Sequence, residues 1–138
     1  MASTLYTSFV RDCFVGSVDC DTDSFNGMLL TSTYTPNKDH AKRSDLTNEV
    51  SGTGYTAGGA AVTLTVALDT ANDRVTVTPS EPSWATATIT ARYLAIYKAR
   101  GGASSADELV AVVDFGADVT STAGTFATDI TSALTVQN

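Results

Sequence analysis

A chain of 138 residues with 43% hydrophobic side chains can bury one core, and a net charge of −7, from 8 basic against 15 acidic residues, is the wrong sign for tracking a phosphate backbone. No apolar run approaches the roughly 18 residues that span a bilayer, so neither nucleic-acid binding nor a membrane span is expected. Threonine is about one residue in six, which suits the pleated, half-buried surface of a sheet and points to an all-β fold.

The first residues, Met1 to Tyr6, carry no basic cluster and lead into no long apolar stretch, so no secretory signal is read and synthesis in a cytoplasm is expected. Leu5, Phe9 and Cys13 then recur at i, i+4 and i+8 beside Tyr6 and Val10, an apolar stripe that predicts a short helix stopping at Gly16. Cys13 and Cys20 would lie about 23 Å apart on one extended strand, beyond disulfide reach unless the chain bends between them. Two free, partly buried thiols are the expectation. Phe25 to Thr33 reads as a strand after the turn Asp21-Thr22-Asp23-Ser24, with Val15 to Cys20 as a candidate partner. Pro36 to Glu49 is polar and reads as a long surface loop, with one helical turn at Ala41 to Leu46.

The clearest strand signal is Val62-Thr63-Leu64-Thr65-Val66-Ala67-Leu68, whose even positions are large and apolar. Period two predicts one buried face. After the break Asp69 to Asp73, the alternation resumes at Arg74 to Thr78, so a hairpin is predicted. Pro79 and Pro82 must end that ladder, because proline has no N–H to give. From Trp84 the alternation runs through Ala87, Ile89 and Ala91, but Leu94 and Ile96 fall on the opposite parity, which predicts a bulge near Arg92. Trp84, Tyr93 and Tyr97 are expected in the core. Arg100 to Asp107 reads as a loop, and the near-continuous apolar run Leu109 to Phe115 as a strand buried on both faces. Gly116 to Gly124 reads as another loop, with Thr125 to Ile130 and Leu134 to Val136 as closing strands. About eight strands with frequent turn signals and no linker predict one domain over residues 1–138, a jelly-roll-like antiparallel β-sandwich.

Chemistry-bearing motifs are incomplete. Asp19, Asp21 and Asp23 are spaced as a calcium loop begins, but Ser24 stands where the sharp turn needs glycine and Leu30 where the bidentate glutamate belongs, so an ordinary acidic turn is expected. The sole histidine, His40, has no nucleophile elbow with it, and two cysteines with one histidine match no usual zinc set. Gly52, Gly54, Gly58 and Gly59 lack phosphate-loop phasing and precede a strand instead of a helix. No catalytic residue, metal or cofactor is expected. Lys38, His40, Lys42 and Arg43 do gather positive charge into one loop of an acidic chain, which would suit electrostatic docking on a partner.

From Leu5 to Phe115 the order of segments resembles the head decoration or cement proteins of tailed bacteriophages, the Bordetella-type phage cement proteins among them. The resemblance lies in Leu5-Tyr6, Gly16-Ser17-Val18-Asp19, Met28-Leu29-Leu30, Tyr34-Thr35-Pro36-Asn37, and Asn48-Glu49-Val50-Ser51-Gly52-Thr53-Gly54-Tyr55. It continues with Trp84-Ala85, Ala95-Ile96-Tyr97-Lys98 and Val113-Asp114-Phe115-Gly116. The resemblance implies a β-rich virion protein on the outer capsid surface that bridges major capsid proteins and self-associates as a homodimer or homotrimer. Leu5, Tyr6, Phe9, Lys38, His40, Lys42, Arg43 and Tyr55 are the contact candidates, as apolar anchors with charged rims. A carbohydrate- or receptor-binding module of a tail fibre is the alternative, since loops on β-sandwiches often carry such sites.

Overall fold

The computed structural model describes residues 2–130 and 133–137. In chain order the elements are β1 (Ala2–Leu5), α1 (Thr7–Phe14), β2 (Phe25–Leu30), β3 (Ala60–Val62), β4 (Leu64–Asp69), β5 (Arg74–Pro79), β6 (Ser83–Lys98), β7 (Leu109–Ala127) and β8 (Leu134–Gln137). Two short 3-10 turns, Arg43–Asp45 and Ser104–Ala106, sit in the connections. All pairings are antiparallel, in a five-stranded sheet of order β1-β7-β6-β2-β3 and a three-stranded sheet of order β4-β5-β8. The fold is all-β with one short helix, and its two sheets pack as a sandwich.

The larger sheet is covered on both faces, which explains its continuous apolar runs. One face meets the smaller sheet in the main core, where Leu29, Leu94, Ile96 and Val113 join Leu64, Val77 and Leu134. The opposite face carries a second cluster of Tyr6, Met28, Leu30, Tyr34, Tyr93, Ala95 and Tyr97. Tyr34 comes from the connection that follows β2, so that connection is a lid over the second cluster as well as a surface loop. Val50, from the same connection, is buried in the main core. Trp84, Tyr93 and Tyr97 are all buried, as expected.

The predicted hairpin forms as β4 and β5, with Val66 opposite Val77 and Leu68 opposite Val75. The register of β6 on β7 shifts between Ala91 and Tyr93, so the parity change at Arg92 is a bulge. Three expectations fail. The run Val62 to Leu68 is not one strand: Val62 ends β3, opposite Phe25 in the larger sheet, and Leu64 begins β4 in the smaller one, so the chain changes sheets at Thr63. Residues Val15 to Cys20 form no strand: Gly16 adopts φ +78°, and the Ser17 and Val18 N–H groups both donate to the Asp12 carbonyl, at 2.8 and 3.1 Å, closing the helix instead of a ladder. The predicted loop Gly116 to Gly124 is the middle of β7, paired along β6 through Thr90–Thr120 and Ala91–Val119. Its polar residues face water on a strand held by its partner.

Candidate functional site

The sequence-predicted basic loop is folded against two acidic residues at the start of β7. Arg43 Nε donates to Asp107 Oδ2 at 2.7 Å and its guanidinium lies 5.1 Å from the Tyr97 ring centroid. Lys42 Nζ is 3.5 Å from Glu108 Oε1, and Arg100 grips the same carboxylate with contacts of 2.7 and 2.9 Å. Both carboxylates are buried. Burial alone would push Glu108 up, but the Arg100 hydrogen bonds and the nearby Lys42 charge prevail and hold it down at about 2. His40 is half-buried, with Nδ1 3.1 Å from the Tyr34 hydroxyl, which in turn shares a 2.9 Å hydrogen bond with the Tyr6 hydroxyl. The positive charges of Lys42 and Arg43 are thus neutralised within the fold. Among the described residues Lys38 is the one lysine or arginine outside an ion pair.

The apolar anchor candidates also turn inward. Tyr6 and Phe9 are buried, Leu5 is half-buried in β1, and half-buried Tyr55 is fixed by its hydroxyl, which donates to Glu49 Oε1 at 2.8 Å and accepts from the Leu29 N–H at 3.0 Å. Tyr6, Phe9 and Tyr55 therefore build the core and the loop that covers it. The acidic turn is likewise structural: Asp23 Oδ2 accepts from the Asp19 N–H at 2.7 Å and meets Lys98 Nζ at 2.8 Å, and these contacts hold its carboxyl below the usual range. Among the described residues no three His, Cys, Asp or Glu side chains converge as metal ligands.

A surface that periodicity assigned to the core is open instead. On the face of the smaller sheet carrying Leu64, Val66 and Leu68, burial is complete only at the Leu64 end. Val77 and Leu134 are covered, whereas Val66 is 49% and Leu68 79% exposed. α1 has eight residues, and its last, Phe14, lines the concavity beside Leu68 while Val66 and Leu68 stay uncovered. At its end, Phe14 is 85% and the following Val15 66% exposed, unusual values for large apolar side chains. Between helix and sheet lies a groove of about 600 Å³, walled by Phe9, Val10 and Phe14 and floored by Val66, Val75 and Val136. Asp19 and Asp21 stand on one side of it, and a second concavity of about 460 Å³ continues it past Leu68 to Asp73. Those three carboxylates have no basic partner among the described residues.

Cys13 and Cys20 border the same groove as free thiols, on either side of the chain reversal at Gly16. Burial first, then the neighbouring Cys13 thiol and the carboxylates of Asp19 and Asp23, push Cys20 up to about 12. The sequence held no clear signal for this site: Phe14 continues the Tyr6, Val10 row of the apolar stripe, yet of the helical residues only Phe9 and Asp12 are buried. No family model, no curated protein and no solved structure matches this chain.

Proposed function

We propose that this chain is a structural assembly protein, a decoration or cement protein on the outside of a tailed-phage head that bridges neighbouring major capsid proteins. The observation that supports association is the exposed apolar face of Phe14, Val15, Val66 and Leu68, beside which Asp19, Asp21 and Asp73 have no basic partner among the described residues. The order of segments resembling phage cement proteins supplies the capsid setting. A protein that binds only the assembled shell stabilises that shell by mass action, which is the work a cement protein does against the pressure of packaged DNA. The tail-fibre alternative is less well supported, because sugar-binding platforms need open aromatic faces and Tyr34, Trp84 and Tyr97 are buried.

The test is co-sedimentation with assembled shells of the phage that encodes the chain, comparing the wild type with Phe14→Ser and Leu68→Ser. Both side chains are mostly exposed, so the fold should survive. The wild type should bind the shells, each variant should bind at least tenfold more weakly, and added salt should weaken binding to a basic capsid surface. Absence of shell binding by the wild type, or undiminished binding by both variants, refutes the reading.

A further inference from the structure

We infer that the open edge of β4, alongside this groove, takes an extended apolar segment of a protein partner, flanked by lysine or arginine, which adds as a fourth strand to the smaller sheet. The inference rests on the association reading and specifies the partner's chemistry.

The backbone supplies the first argument. The Ser80 N–H donates to the Thr63 carbonyl at 2.8 Å, fixing that pair as a hydrogen-bonded one. Hydrogen-bonded and non-bonded pairs alternate along an antiparallel ladder, so Thr65, Ala67 and Asp69 turn their backbone groups towards β5, and Leu64, Val66 and Leu68 turn theirs outward. Pro79 opposite Leu64 agrees with this phase, since it has no N–H to contribute. β4 is an edge of its sheet, and no backbone hydrogen bond from Leu64, Val66 or Leu68 to another element occurs among the described residues. Proteins usually guard such edges with lysine, proline or a bulge. The outward-facing positions of β4 carry none of these, and two of them, Val66 and Leu68, form the open apolar face.

Charge decides between occupants. A second copy docking by the same edge would bring more un-neutralised carboxylates, its own Asp19, Asp21 and Asp73, and no free basic group at that edge to meet those already beside the groove, since these three have no basic partner among the described residues. A segment with basic residues on either side of an apolar stretch would meet those carboxylates while its apolar side chains cover Val66, Leu68 and Phe14. This is the strand-addition mode of recognition, in which main-chain hydrogen bonds give affinity and alternate side chains give selectivity.

The experiment uses the full chain and two labelled probe peptides of alternating valine and threonine, one capped at both ends with lysines and the other with glutamates. Fluorescence anisotropy gives affinity, and amide hydrogen exchange reads the edge. The lysine-capped probe should bind at least tenfold tighter at low salt, with the difference narrowing as salt rises, and should slow exchange at the Val66 and Leu68 amides. Val66→Pro removes one outward N–H without touching the β5 ladder, and Leu68→Lys adds repulsion at a solvent-exposed site; each should weaken the lysine-capped probe at least fivefold. Equal affinity for the two probes, or binding that leaves those amides unprotected, overturns the inference. So does sedimentation showing a dimer whose Val66 amide is protected without any probe, which would make a second copy the occupant. The assay contains no capsid protein, so its failure removes strand addition while the shell-binding result stands by itself.

Discussion

Replacing Glu108 with glutamine isolates the charge that ties the basic loop to the sheet. The carboxylate is buried at the start of β7 and is gripped by Arg100, with Lys42 at 3.5 Å. It is held near 2 in place of the usual 4.5. A depression of that size corresponds to about 3 kcal/mol, and screening at the 40% exposed Arg100 side chain brings the expected contribution to about 2–3 kcal/mol. The folded-state value is the lower one, so the stabilisation is fully present above pH 4.5 and is lost as pH falls through 2. Glutamine keeps the shape and removes the titration. Urea unfolding of both proteins at pH 7 and pH 3 should therefore give a difference of about 2–3 kcal/mol at neutral pH and less than half of it at pH 3. A difference that stays constant across that range would show that Glu108 acts through packing alone and would refute the electrostatic account.

Four further outcomes follow from the geometry. Tyr6→Phe removes the 2.9 Å hydroxyl contact with Tyr34 but leaves Tyr34 its His40 partner, so a loss of about 1 kcal/mol in denaturant unfolding is expected. Phe126→Ala opens a void beside Trp84, whose ring centroid is 6.2 Å away, and should cost about 3–5 kcal/mol by the same measurement. Gly54→Ala places a methyl 2.7 Å from Ala87 Cα at φ +85°; it should destabilise by more than about 1 kcal/mol and speed exchange of the Thr88 amide, which donates to Thr53. Iodoacetamide at pH 8 should alkylate exposed Cys13 well before Cys20, whose thiol is pushed up to about 12, and peptide mapping by mass spectrometry would expose the reverse order.

Local chemistry carried a good part of the architecture. The alternation from Leu64 to Thr78 specified a hairpin, the parity change at Arg92 specified a bulge, and the apolar spacing around Phe9 specified a helix closed at Gly16, because each signal is complete within a few residues, although Leu5 lies in β1, Cys13 is exposed and Val62 joins the larger sheet. β1 went unread, since Ala2 to Leu5 has no alternation of its own and becomes a strand by pairing with β7. The Gly116 to Gly124 segment differs from expectation for a related reason: Val119 to Ser121 are held in the ladder by β6, a partner about 30 positions away, as Thr90 and Thr120 illustrate, although Gly116 and Ala123 keep the left-handed backbone of turn residues.

The candidate site was less legible, because exposure is a property of what covers a residue and not of the residue. Periodicity determined that Leu64, Val66 and Leu68 share a face; only the tertiary structure decided that Leu64 is covered while Val66 and Leu68 are open. The sequence likewise placed Lys42 and Arg43 in one loop, yet their charge is taken up by Asp107 and Glu108, more than 60 residues along the chain. Composition determined an acidic all-β chain. The fold decided where its carboxylates remain unpaired, since an ion pair depends on distances that only packing sets.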